Sequence, residues 1–250
     1  LSPQDFLRLY RTCRLARDVV ATFIKVAFDV NATLKRFVPD PLAFRSLQAR
    51  TGTLISGSIA LQFFDRAVYP ESDLDLYVHS QHRREVGMWL LSMGYTFFPS
   101  RRQDPRFKTT VLNAEQSRGL HYVMPGVSAI YTFRRQVGEQ HLKVQIIVAR
   151  RAPMEVVLGF HSTCVMNVIS YEKAYCLFPR ATLEERRSLL SWSSQGRSKR
   201  RAEGLVKYAS RGFKMLTHLH FAEYATHQPI RSFPLKPRWI GDTDTWVLSL

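Results

Sequence analysis

Residues 54–78 confine the possible fold more than any other stretch of the chain. They read LISGSIALQFFDRAVYPESDLDLYV. At the far end Asp73 and Asp75 alternate with Leu74 and Leu76, and Val78 follows. A period of two places both acids on one face of a strand and the leucines on the other. At the near end a short apolar run meets Gly57-Ser58, and a second apolar run continues to Asp65. Glycine lets a chain turn sharply from a strand into a helix. The pattern predicts a strand over 53–56, a helix over 58–65 and a strand over 74–79.

This unit places two kinds of chemistry side by side. Free N–H groups and the positive end of a helix dipole suit a phosphate, and Ser58 is placed to cap that helix. An ordinary glycine turn with a capping serine uses the same residues. Two carboxylates held close repel unless a cation neutralises them, and Mg²⁺ prefers such oxygen ligands. A solvated edge strand with two exposed acids has the same spacing.

Together, the strand, Gly57-Ser58, the helix and the strand bearing Asp73-Leu74-Asp75 resemble the nucleotidyltransferase fold of the polymerase-β-like superfamily. Ser72, just before Asp73, fits that look, and the matching core covers about 48–150. The resemblance implies an α/β (α+β) core, a mixed or antiparallel sheet flanked by helices. It implies that Gly57 and Ser58 hold the triphosphate of an NTP. It also implies that Asp73 and Asp75 are the catalytic, metal-binding acids for Mg²⁺ or Mn²⁺. The activity implied is transfer of a nucleoside monophosphate to a hydroxyl acceptor.

The family uses a third carboxylate on a neighbouring strand. The candidate strand is 141–148, HLKVQIIV, where Gln145, or Lys143, occupies that position. A glutamine offers a carbonyl oxygen but neither charge nor a useful base. Glu139 and Glu155 are the nearby acids. Three readings follow: two aspartates working with a solvent or substrate base, a borrowed Glu139 or Glu155, or a site that binds a nucleotide, or nothing, without catalysis. The rival function is a degenerate module that binds nucleic acid or a protein.

The rest of the chain divides into an N-terminal helical segment (1–47), the core (48–160) and a basic C-terminal accessory region (161–250). Helices are expected over 3–37, with Asn31 as a cap, and over 42–49, 81–93, 182–191 and 198–210, with another starting at Pro153. Strands are expected at 95–98, 120–124, 129–136, 141–148, 164–169 and 174–178. Residues 100–118 read as loop or short strands, and the proline-bearing tail, 228–250, as a surface wrap.

Lys and Arg number 36 against 20 Asp and Glu, a net charge of +16. That favours anionic partners, and the C-terminal region could track RNA or DNA. Over 180–214 ten basic residues face three glutamates, with Trp192, Tyr208 and Phe213 interspersed as potential base-stacking groups. Arg197–Arg201 also has the look of a nuclear-targeting patch. Cys13, Cys164 and Cys176 are too scattered for a disulfide framework, which points to an intracellular setting, cytoplasm or nucleus. No apolar run reaches the roughly 18–20 residues of a membrane span, and the N-terminal stretch lacks the form of a signal peptide.

Overall fold

A computed structural model of the chain describes residues 3–116, 125–191, 199–221, 223 and 232–250. Its centre is the predicted unit. Strand β1 (Leu54–Ser56) turns at Gly57 into helix α5 (Gly57–Asp65), and the chain returns as β2 (Leu74–His79). Helix α5 is buried from Gly57 to Phe64. It is therefore wedged into the protein rather than laid on its surface.

The other strands are β3 (Thr96–Phe98), β4 (Val127–Val137), β5 (Gln140–Ala149), β6 (Asn167–Ile169), β7 (Lys173–Cys176), β8 (Arg187–Leu189), β9 (Lys214–Leu216) and β10 (Trp246–Ser249). Eight of them form one mixed sheet in the order β10-β7-β6-β1-β2-β5-β4-β3. Its neighbours run antiparallel except β2 and β5, which are parallel. The short β8 and β9 pair separately and in parallel. The expected α/β class with a mixed sheet and flanking helices is what the structure shows.

Alternation along each strand splits the core in two. Leu74, Leu76, Val78, Val144, Ile146, Tyr131 and Phe133 face one layer. Helices α3 (Val30–Lys35), α4 (Pro41–Thr51), α6 (Arg83–Ser92) and α7 (Phe107–Gln116) fill it through Leu34, Phe44, Leu47, Leu90, Phe107 and Val111. Tyr77, Ile147 and Val168 face the opposite layer. Val156 and Val157 of α8 (Pro153–Leu158), Phe160, Cys164, Val165 and Tyr208 of α9 (Lys199–Ser210) fill that one. The first two helices, α1 (Pro3–Tyr10) and α2 (Arg14–Ala27), join the first layer through Phe6 and Val20.

Several expectations need correction. Residues 107–116 are helical, not loop. The helix expected over 182–191 is a wide turn followed by β8, because Arg186 takes a left-handed φ of 53° that ends helical geometry. The tail ends in β10, paired along its whole length with β7. Helix α3 is capped by Asp29, whose carboxylate accepts from the amides of Asn31 and Ala32, rather than by Asn31. The strand expected at 120–124 lies outside the described residues.

Candidate functional site

Strand register assembles the site. Ser56 lies opposite Asp75, Asp75 opposite Gln145, Gln145 opposite Thr132, and Thr132 opposite Phe98. One row therefore crosses five strands. Because β2 and β5 are parallel with Leu74 beside Val144, stepping back one residue brings Asp73 beside Lys143. Lys143 in turn faces Arg134, and Arg134 faces Thr96. The Lys143 ammonium donates to Asp73 Oδ2 at 2.6 Å.

The turn and the acid pair are built against each other. Gly57 has φ +70°, and a Cβ added there would lie 2.7 Å from Asp75 Oδ2. Any larger residue would be strained in its backbone and would push the carboxylate aside. Ser56 holds the N-cap position of α5, but its hydroxyl donates instead to Asn167 O at 2.5 Å. No side chain caps this helix start.

Ser58 is not the helix cap that its place in the sequence suggests. It sits within α5 as a buried residue, and its hydroxyl lies 3.2 Å from the Tyr208 hydroxyl. It also accepts a hydrogen bond from Arg211 Nη1 at 3.1 Å. The Arg211 guanidinium stacks 3.8 Å over the Tyr69 ring. Thus α9 and the residues just after it close over the predicted Gly57-Ser58 turn.

Charge and burial set the electrostatics. Asp75 remains partly accessible by area, yet protein surrounds it on most sides. Desolvation, then repulsion from Asp73, raises its carboxyl to about 7, against the pull of Lys143 and Lys207. Burial and the nearby Arg211 lower the Lys207 ammonium, while Asp75 and Asp73 act the other way. Burial raises the Tyr208 phenol to about 12.

These groups fit one divalent cation. Lys143 and Lys207 relieve only part of the strain at Asp75, and a dication between the two carboxylates would remove more of it. A second ion has less support. Gln145 stands beside Asp75 without charge, and among the described residues no three His, Cys, Asp or Glu side chains gather in one place.

The two alternative acids lie elsewhere. Glu155 is on α8, which follows the end of β5 where Ala149 pairs with His79, far along β2 from Asp73. It is held by Arg151 in a two-oxygen contact at 3.2 and 3.0 Å. Glu139 is exposed in the turn between β4 and β5, ahead of the stretch that faces the aspartates.

The structure thus gathers Gly57, Ser58, Asp73, Asp75 and Gln145. It adds Lys143, Lys207, Tyr208 and Arg211. In the sequence Tyr208 reads only as a potential base-stacking group and Lys207 and Arg211 only as part of a basic region, since their partners at this site lie about 150 residues upstream. An open groove of ≈ 710 Å³ reaches Asp73 and Lys143 past Ser72 and Glu71. A second, of ≈ 510 Å³, reaches the same pair past Arg134 and Thr96.

Other predicted groups have structural partners. Tyr208 and Phe213 are buried and cannot stack on bases. Arg186 is paired with Asp65 at 2.5 Å, and Arg187 with Glu223 at 2.7 Å and Glu185 at 3.0 Å. Arg135 donates to the carbonyls of Met93 and Phe37. These arginines are spent inside the protein rather than lining a phosphate track. Trp192 and Arg197 lie outside the described residues, as do the side chains of Lys199, Arg200 and Arg201. The three cysteines are free thiols, and Cys164 is buried, with desolvation raising its pKa. No helix among the described residues is long and apolar enough to cross a membrane.

A scan against protein-family models and a search of curated proteins find no match for this chain.

Proposed function

We propose that this chain is a nucleotidyltransferase-like protein. In this reading it takes an NTP beside Gly57 and Ser58 with Mg²⁺ or Mn²⁺ on Asp73 and Asp75, and passes the nucleoside monophosphate to a hydroxyl. The observation that carries the proposal is the contact of Asp75 with the Gly57 turn. It makes the uncapped helix start and the acid pair a single site, as metal-bound phosphate binding requires.

The chain's own residues have separable roles. Gly57 leaves room for the Asp75 carboxylate. The Ser58 hydroxyl and Arg211, already hydrogen-bonded, offer donors to phosphate oxygens. Asp73 and Asp75 would hold the cation, whose chemistry is to neutralise charge on the phosphates. Gln145 can orient an acceptor hydroxyl but cannot take its proton. In the transfer reading that proton leaves to solvent or to the substrate.

Gln145 beside Asp75, and Lys143 on Asp73, favour a second reading: a non-catalytic module that keeps the fold and binds nucleic acid or a protein partner. Calorimetry with a non-hydrolysable NTP and Mg²⁺ tests the shared premise. The Asp73→Ala/Asp75→Ala variant is expected to lose roughly 100-fold or more in affinity, since even outer partners of metal ligands commonly cost 10–100-fold. Unchanged binding would sink the metal site. Labelled-nucleotide incorporation separates the two readings. Gln145→Asp is expected to raise incorporation if this position is the third acid, whereas in the binding-module reading salt-sensitive RNA or DNA binding survives the double variant and no incorporation occurs.

A further inference from the structure

The parallel pairing of β2 and β5 matches the two acids with two different partners. Asp75 lies opposite the neutral Gln145, whose amide donates to the Thr132 hydroxyl at 3.5 Å, and Asp73 meets the ammonium of Lys143. The second contact, at 2.6 Å, is a charge-assisted hydrogen bond between side chains that are 33% and 32% exposed. It is neither a loose surface pair nor a sealed one. Solvent reaches it from two grooves, and both are lined by Asp73 and Lys143 together.

A divalent cation on Asp73 would compete with that ammonium for the same carboxylate. Once released, Lys143 needs another anion. Of the two grooves' lining residues, Glu71 and Asp73 are the acids, and Glu71 is an exposed loop residue. The β5 neighbours on the same face, His141 and Gln145, offer no negative charge, Arg134 across on β4 repels it, and Asp75, which Lys143 also attracts, would itself be taken up by the cation. A polyphosphate arriving beside Ser58 would supply what is missing.

We propose that Lys143 is a resident counter-ion that holds Asp73 until a nucleotide arrives and then turns to its phosphates, so that metal and nucleotide enter together rather than metal first. This rests on the nucleotide-site reading above. The result is positive coupling between the two ligands, and linkage makes it reciprocal: the nucleotide tightens the metal as much as the metal tightens the nucleotide. Lys143 is in this role a specificity residue, selecting the metal–nucleotide complex over the free ion.

The test titrates Mn²⁺ alone into wild type, Lys143→Gln and Lys143→Arg, following free Mn²⁺ by electron paramagnetic resonance. The titrations are then repeated with saturating α,β-methylene-ATP. Lys143→Gln is expected to bind Mn²⁺ alone about two- to five-fold more tightly than wild type, the scale of one partly exposed ion pair. Lys143→Arg keeps the charge and is expected to match wild type, which separates charge from disturbed packing. The nucleotide is expected to tighten Mn²⁺ more in wild type than in Lys143→Gln. The proposal is overturned if Lys143→Gln binds Mn²⁺ no tighter than wild type while the analogue still binds in an Asp73-dependent way. If Asp73→Ala/Asp75→Ala leaves the Mn²⁺–nucleotide complex bound, the underlying nucleotide site fails and this proposal falls with it.

Discussion

Asp75 is held in a form that ordinary carboxylates leave behind at acid pH. Its folded pKa of about 7 lies above the reference 3.8, so the folded protein binds this proton more tightly than the unfolded chain does. The stability this contributes is present below about pH 4 and is lost as pH rises through 7. Asp75→Asn should remove the penalty. In metal-free buffer, thermal melts are expected to show the variant more stable than wild type at pH 8 by roughly 4 kcal/mol and nearly indistinguishable from it near pH 4. An equal or lower melting temperature at pH 8 would count against a strained carboxylate here. At this scale the acid pair was readable from the sequence, because a period of two needs no partner to be recognised. Gly57 was readable too, as a glycine between a strand and a helix. The hydrogen bonding of Ser58 was not, because its partners Tyr208 and Arg211 come from a different part of the chain. Lys143 was legible only as a possible occupant of the third position, since its contact with Asp73 depends on two strands running parallel.

Among the elements, those with a wide apolar stripe or strict alternation were legible and those docked by few residues were not. Helix α7 meets the core through Phe107 and Val111, with Thr110 beside them. The Phe107 ring fits where Gly87 of α6 has no side chain, since a Cβ there would lie 2.1 Å from the ring. Two buried apolar positions in ten residues leave little periodicity to find. The segment before β8 misled for another reason. Residues 182–191 suit a helix locally, but Arg186 is drawn into a tertiary clip. It pairs with Asp65 at the end of α5, donates to the Arg211 carbonyl and stacks 4.1 Å over Phe213. This clip fastens the segment around α9 to the helix that begins at Gly57. Arg186→Met is expected to cost roughly 2–3 kcal/mol in chemical denaturation, mostly by leaving Asp65 largely buried without its partner. A loss under about 0.5 kcal/mol would show that the clip contributes little.

In the whole molecule, the sheet draws neighbouring strands from distant parts of the sequence. Between β1 and its outer edge lie β6, β7 and then β10, the last strand of the chain. Trp246 on β10 reaches Phe28 at 5.3 Å, Phe64 at 5.5 Å and Phe6 at 6.5 Å. The tail looked like a wrap because its prolines dominate the local pattern, while four residues of strand carry little signal of their own. Trp246→Ala is expected to cost about 3 kcal/mol and to lower the melting temperature by roughly 5–10 °C. A shift below about 2 °C would mean that the two ends of the chain are not coupled through this cluster.

The position of Trp246 also sets a clock on biosynthesis. Phe6 and Phe28 leave the ribosome more than 200 residues before the indole that packs on them. At about 5–20 residues per second, the interval between Phe28 and Trp246 is roughly 10–40 s. For that time the nascent chain carries an aromatic surface with its final cover missing. Until β10 is made, the β7 edge of the sheet and the aromatic cluster both stay open, and termination before β10 would release a chain in that state.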